Sequence, residues 1–311
     1  MAELNSNLLD SIDARTKLAG SNKMEILLFS LGSSEIFGIN VFKVREVTHT
    51  PYITRTPNVP AGVEGFISLR GNIIPVISLT NFISTGGPAS ESSNGTLIVT
   101  EFSRHTQGFL VDSVDRIIRV DWDKVKPPQS MLGGNEGVIT AITELPDGRL
   151  VSILDVEQLL ANALGEEKIP EIAAIESDDD RFIFFADDSA VARKAIVGVL
   201  DRMGVKHQQA SNGSEAWEKL KSIAARAQQD GRPLHDTLRL ILTDAEMPEM
   251  DGYVLTKNIK SDRRFEGIPI VMHSSLSSEA NRNMGLQAGV DTYVPKFDPL
   301  VLVDTLRPLL V

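Results

Sequence analysis

Two textures of apolar patterning divide the chain. After residue 23, apolar residues come in short runs at 26–29 (ILLF), 36–39 (IFGI), 65–69 (GFISL), 73–77 (IIPVI), 96–99 (TLIV) and 108–111 (GFLV). Gly, Pro and Asn interrupt them. Many short strands at close spacing, with turn signals between, predict small barrels or a sandwich. A helix is expected over 155–164, with Gly165 as its stop. From Arg181 the apolar runs alternate with helical stretches at 190–203, 213–229, 253–261, 278–288 and 299–309. Five strands alternating with five helices predict a parallel sheet covered on both faces. Between the textures, 165–180 (GEEKIPEIAAIESDDD) is acidic and reads as a linker with room for one helical turn. Residues 1–23 form a polar extension whose Leu4, Leu8, Ile12 and Leu18 predict a short helix. The short-strand texture thus covers 24–164 and the alternating one 181–311.

The chemistry lies at the ends of the later apolar runs. Asp187 and Asp188 follow 182–185, Asp244 follows 240–242, Ser274 follows 270–272, and Lys296 follows 293–294. If those runs are parallel strands, all five side chains meet at the carboxyl edge of one sheet, where open α/β sheets bind ligands. Three carboxylates, a hydroxyl and an ammonium suit a divalent metal and a phosphoryl group. A carboxylate can attack phosphorus as a covalent nucleophile, and a hard cation such as Mg²⁺ removes the repulsion between two anions. An acidic pair after a strand is common as a turn or helix cap. It is the five groups at successive strand ends, in order, that mark a site. His273 reads as structural.

Bulk composition narrows the function. The chain has 311 residues, a formal net charge of −11 and no cysteine. Disulfides and thiolate metal sites are excluded. The acidic balance and the lack of a basic run argue against a nucleic-acid-binding surface. No segment reads as a secretory signal or as a membrane span, so a cytoplasmic location is expected. The first half carries no catalytic constellation and no phosphate-loop or dinucleotide glycine signature, and reads as a binding module.

The stretches ADDS (186–189), LTDAEMPEMDG (242–252), PIVMHSS (269–275) and AGVDTYVPK (288–296) resemble a response-regulator receiver domain. The resemblance covers 180–311 and implies a flavodoxin-like (βα)5 fold. It implies that Asp244 accepts a phosphoryl group from a histidine kinase. Asp187, Asp188, Asp244 and the backbone carbonyl of Glu246 would hold Mg²⁺. Lys296 would contact the phosphoryl group, with Ser274 as switch hydroxyl and Tyr293 as switch aromatic. It also places Glu246 and Leu276 beside the attacking water, and apolar Leu276 predicts a slowly lost acyl phosphate. One departure stands out: the family usually has proline after the lysine, and here Phe297 follows Lys296. A cis peptide at that bond would cost about 2.5–4 kcal/mol.

The stretches FGINVFKVREV (37–47), GVEGFISLRGNIIPVISL (62–79), FLVDSVDRIIRV (109–120), KPPQ (126–129) and GRLVSILDVEQLL (148–160) resemble a CheW-type coupling domain. The resemblance implies two small five-stranded barrels that bind a chemoreceptor tip and the histidine kinase CheA. It singles out Arg70 in the LRG motif, and Val41, Val44 and Glu46 as partner-facing. As bare sequence, Val41 and Val44 read as core. A coupling domain fused to a receiver is the architecture of CheV-type chemotaxis proteins. That implies a non-enzymatic connector in receptor arrays, with CheA, methyl-accepting chemoreceptors and CheW as partners. Phosphorylation of Asp244 would tune coupling as feedback. A phosphate sink draining CheA is the alternative. A DNA-binding regulator is disfavoured because no basic recognition helix lies outside the receiver.

Overall fold

The computed structural model describes residues 23–60, 62–83, 95–102, 105–126, 137–165, 169–175, 181–274, 279–296 and 298–310. The helix expected in 1–22, the Lys296–Phe297 peptide, Leu276 and most of KPPQ lie outside these residues. The chain divides into two compact units, with the division after Glu166.

The first unit holds two five-stranded sheets. One has the order β8-β1-β2-β10-β9, the other β3-β6-β7-β5-β4. The strands of the first are β1 (Lys23–Ser30), β2 (Ile36–Asn40), β8 (Ser113–Asp121), β9 (Ile139–Glu144) and β10 (Leu150–Leu154). Those of the second are β3 (Val44–His49), β4 (Val63–Leu69), β5 (Asn72–Ser78), β6 (Thr96–Phe102) and β7 (His105–Val111). The same device curls each sheet round. Chain leaving one edge strand makes a single antiparallel bridge to the other edge strand: Thr54 to Phe66 on β4, and Lys126 to Ile142 on β9.

The runs of β1 and β6 are continuously apolar because both of their faces are covered. Met24, Ile26 and Leu28 point into the core of the first sheet, with Trp122, Val125, Val151 and Ile153. Leu27 and Phe29 point the other way, into a shared core with Ile77, Ile98 and Phe109 of the second sheet. Leu97 and Val99 fill that second sheet's own interior with Ile67, Ile74 and Val76. Helix α1 (Val156–Leu164) seals the shared core with Val156, Leu159 and Ala163. It starts because Asp155 accepts from the amides of Glu157 and Gln158, and it stops at Gly165, whose φ is 89°.

The second unit is a parallel sheet of order β12-β11-β13-β14-β15. Its elements are β11 (Phe182–Ala186), α2 (Ala190–Met203), β12 (His207–Ala210), α3 (Gly213–Gln229), β13 (Leu238–Thr243), α4 (Gly252–Ser261), β14 (Ile270–Ser274), α5 (Glu279–Ala288), β15 (Thr292–Pro295) and α6 (Pro299–Leu310). Alternate residues serve opposite faces. Phe184, Ile241 and Ile270 pack with α3 and α4. Ile183, Phe185, Leu240 and Val271 pack with α2 and α6. Strand order reverses between β11 and β13, so the crevice at their carboxyl ends is where an open α/β sheet takes a ligand.

The acidic segment before β11 behaves differently from a free linker. Over 169–175 it has no helical turn. Its Ile169, Ile172 and Ile175 pack against the core formed with α2 and α6.

Candidate functional site

Each member of the acidic crevice is set by its own strand end. β11 ends at Ala186, and the chain turns as the Asp187 carboxylate accepts from the amide of Ser189 (3.0 Å). Ser189 then caps α2 by accepting from Ala192 N–H. β13 ends at Thr243. Asp244 follows, its amide donating to the Ala186 carbonyl (2.8 Å) and its Oδ1 accepting from the Ala245 amide (2.6 Å). Helix α4 begins close to this point. A Cβ on Gly252 would lie 1.9 Å from the Asp244 carbonyl oxygen, so only glycine fits the DG pair of the motif. Lys296 arrives on the far side, where its amide donates to the Ser274 carbonyl (2.9 Å).

The Lys296 ammonium lies 2.8 Å from Asp187 Oδ2 and 2.8 Å from Asp244 Oδ2. Its side chain is 1% exposed, and those of Asp187 and Asp244 are 0% and 5% exposed. One oxygen each from Asp187, Asp188 and Asp244 falls within 4.8 Å of the others. Asp187 and Asp244 are buried and Asp188 half-buried, and a hard cation among the three would offset the repulsion between them. The donors are all hard oxygens, the preference of Mg²⁺. The residues therefore fit such an ion.

Ser274 is buried at the end of β14, and its hydroxyl hydrogen-bonds with the Tyr293 phenol. Burial raises the Tyr293 pKa, against this hydrogen bond, and the nearby Asp244 carboxylate raises it further. The buried Tyr253 phenol is raised as well, by burial first and then by its nearness to Tyr293 and Glu246. His273 is buried, and among the described residues its Nδ1 has no hydrogen-bond partner. Burial, helped by the Lys296 charge, pushes its pKa down to about 3. Asp187, Asp188, Asp244, Glu246, Ser274, Tyr293 and Lys296 thus share one crevice or its border. The pattern of strand ends did not reveal Arg193. Its guanidinium donates to the carbonyls of Asp187 (2.8 Å) and Asp188 (2.9 Å), clamping the acidic turn to α2.

In the first unit, Arg70 and Glu46 come together. Arg70 and Gly71 form the two-residue turn of the β4–β5 hairpin, between paired Leu69 and Asn72. Both have positive φ, 50° and 86°. The exposed Arg70 guanidinium donates to Glu46 Oε2 on β3 (2.7 Å). Val41 and Val44 correct the expectation of a partner-facing role. They are 1% and 2% exposed, inside the shared core, because the 3-10 turn between β2 and β3 points both inward. Any partner touching this region meets the surface they support.

Among the described residues no helix is long and apolar enough to cross a membrane. Family profiles match 25–164 as a CheW-like domain and 183–307 as a response regulator receiver domain. The chain is 32% identical to chemotaxis protein CheV3 of Helicobacter pylori over 268 residues, covering 85% of each chain. It is 28% identical to CheV2 of the same organism, covering 97% of this chain and all of that one. Residues of the receiver unit align with chemotaxis protein CheY1 of H. pylori at 38% identity over 130 residues, 41% of this chain and 95% of that one. With both domains matched in order and similarity running through most of its length, the chain belongs to the CheV family of chemotaxis proteins.

Proposed function

We propose that this chain couples chemoreceptors to the histidine kinase CheA through its CheW-like unit, and that phosphorylation of Asp244 tunes the coupling as feedback. The observation that carries the reading is the buried Lys296 ammonium bridging Asp187 and Asp244, with Asp188 within reach of the same point. This is a charged crevice built around one acceptor carboxylate.

An Asp244 oxygen attacks phosphorus of the kinase phosphohistidine. The new O–P bond replaces the P–N bond, whose electrons return to the imidazole. Asp187, Asp188, Asp244 and the Glu246 carbonyl would hold Mg²⁺, which when bound neutralises charge between carboxylate and phosphoryl oxygens. Lys296 exchanges its contact with Asp244 for one with the phosphoryl oxygens. Ser274 donates its hydroxyl to them and gives up its bond to Tyr293, freeing the ring to take a second position. Such a two-state element converts about −1.5 to −2 of added charge into a change of surface. Arg70, next to Glu46 at an exposed hairpin tip, is the partner contact we assign to the coupling unit. Partners in this reading are CheA, methyl-accepting chemoreceptors and CheW within arrays, which places the protein in the cytoplasm beside membrane-bound receptors. Apart from slow hydrolysis of its own acyl phosphate, it is not an enzyme.

Incubation with labelled phospho-CheA tests the acceptor. The label moves to the wild-type chain and not to Asp244→Asn. Transfer to Asp244→Asn at the wild-type rate would remove Asp244 from this role.

A further inference from the structure

The acidic segment between the two units is seated on the receiver unit at both of the helices that begin at the acidic crevice. Ile169, Ile172 and Ile175 recur every three residues, the period of an extended, polyproline-like chain, so all three fall on one side. That side packs on the core lined by Ile196, Val199 and Leu200 of α2 and Leu302, Val303 and Leu306 of α6. Glu171, Ala173 and Ala174 face solvent.

The seat is shaped for the segment. Ile169 Cδ1 occupies the space beside Gly198, where a Cβ would lie 2.3 Å from it. The Ile175 amide donates to the carbonyl of Met203, the last residue of α2 (2.9 Å). From the other helix, Arg307 Nη2 donates to the Ala173 carbonyl (2.9 Å). Three apolar contacts and two hydrogen bonds hold seven residues, a marginal gain against the cost of ordering them, about 1–2 kcal/mol per residue for the backbone. Such a strap is poised to respond to small changes in its seat.

Both helices of the seat are tied to the crevice. α2 starts at the Ser189 cap, directly after Asp187 and Asp188, and Arg193 fastens it to their carbonyls. α6 starts at Pro299, three residues after Lys296. A shift of Lys296 from carboxylate to phosphoryl oxygens would pull on the start of α6, the helix that carries Arg307, relative to α2, which carries Gly198. Resting on the phosphoacceptor reading of Asp244, we infer that segment 169–175 is a switchable strap, whose seating on α2 and α6 changes with the state of Asp244 and carries that state toward the coupling unit.

The test is amide hydrogen exchange on the full chain, with Mg²⁺ and with or without acetyl phosphate as donor, and intact mass measured in parallel. The expected result is a change of at least about fivefold in protection across 171–175 in wild type, the low end of usual allosteric couplings, and none in Asp244→Asn. Gly198→Ala forces Ile169 Cδ1 out of its slot while favouring helix in α2. Coupling is reciprocal, so this variant should also shift the Mg²⁺ midpoint for phosphoryl uptake. A phosphoryl group seen by mass with unchanged protection over 171–175 overturns the strap while leaving the acceptor reading intact. A loosened strap in Gly198→Ala with an unmoved Mg²⁺ midpoint overturns it too. No phosphoryl group by mass overturns the acceptor reading, and the strap with it.

Discussion

Arg70 Nη2 sits 2.7 Å from Glu46 Oε2, tying the tip of the β4–β5 hairpin to β3. The arginine is 73% exposed and the glutamate 18%. A pair this open is worth about 0–1 kcal/mol. A non-glycine residue at φ 50° costs about 1–2 kcal/mol. The ion pair at most offsets the strain, so stability alone does not account for arginine at this position. Arg70→Asn, which tolerates the left-handed turn, is expected to leave the unfolding free energy of the coupling unit unchanged or raise it by up to about 1 kcal/mol. Receptor-dependent control of CheA should fall in the same variant. A clear loss of stability on calorimetry, with kinase control intact, would make Arg70 a structural residue.

Lys296 bridges two carboxylates that would otherwise repel. Lys296→Met removes the ammonium that lies 2.8 Å from both buried carboxylates, so the metal-free receiver unit should lose about 3–5 kcal/mol. Added Mg²⁺ should recover much of that, giving the variant a larger Mg²⁺-induced rise in Tm than wild type. Thermal melts with EDTA and with Mg²⁺ read both. An equal Mg²⁺ shift in the two proteins would show that the lysine and the cation do not share the carboxylates.

Gly252 allows α4 to start against the Asp244 backbone. Gly252→Ala pushes a methyl group into the Asp244 carbonyl, which cannot yield as a flexible side chain would. Overpacking of this kind costs about 1–3 kcal/mol. The strand end that carries Asp244 absorbs the shift, so on the acceptor reading phosphoryl uptake should slow more than the stability loss explains. Uptake kinetics at a temperature where the variant is fully folded separate the two effects. Normal uptake there would show that the contact is only a matter of packing.

His273 gives the second unit a pH dependence of known sign. Its native pKa lies at about 3, depressed from 6.5, so the unfolded chain binds a proton that the folded chain refuses. Stability is therefore unaffected above the unfolded value and falls as pH drops from about 6.5 toward 3. At pH 5 the loss is about 2 kcal/mol, a figure set by the unfolded pKa alone while the native one lies well below 5. His273→Leu should flatten the slope between pH 6.5 and 5 by that amount in urea titrations. An unchanged slope would assign the acid sensitivity to the carboxylates instead.

The sequence carried the main architecture because both units bury continuous apolar runs. The four apolar strands of the second unit, and the polar residues at their ends, could be read directly. Strand β12, the fifth expected, has no apolar run to mark it. It pairs on one side only, its Gln208 and Gln209 are exposed, and backbone pairing rather than side-chain burial makes it a strand. The seating of 169–175 was hidden for a related reason. Isoleucines spaced by three match neither the helical nor the strand period, and the slot they fill exists only once Gly198 and Arg307 are brought together. Glu46 and Arg70 were each singled out by resemblance, but their contact spans 24 positions and no local pattern encodes it. Val41 and Val44 show the converse. Their apolar character indicated core, and burial bears that out over the partner-facing role.

The most direct test of the central claim is reconstitution of the full chain with CheA and chemoreceptors, following kinase activity with Asp244 unmodified or phosphorylated. Coupling energies between linked sites commonly reach about 1–3 kcal/mol, so receptor-dependent kinase activity should differ by at least about fivefold between the two states. The difference should vanish in Asp244→Asn. Equal kinase activity in both states, with the phosphoryl group verified on Asp244, would contradict feedback and leave the receiver unit as a phosphate sink.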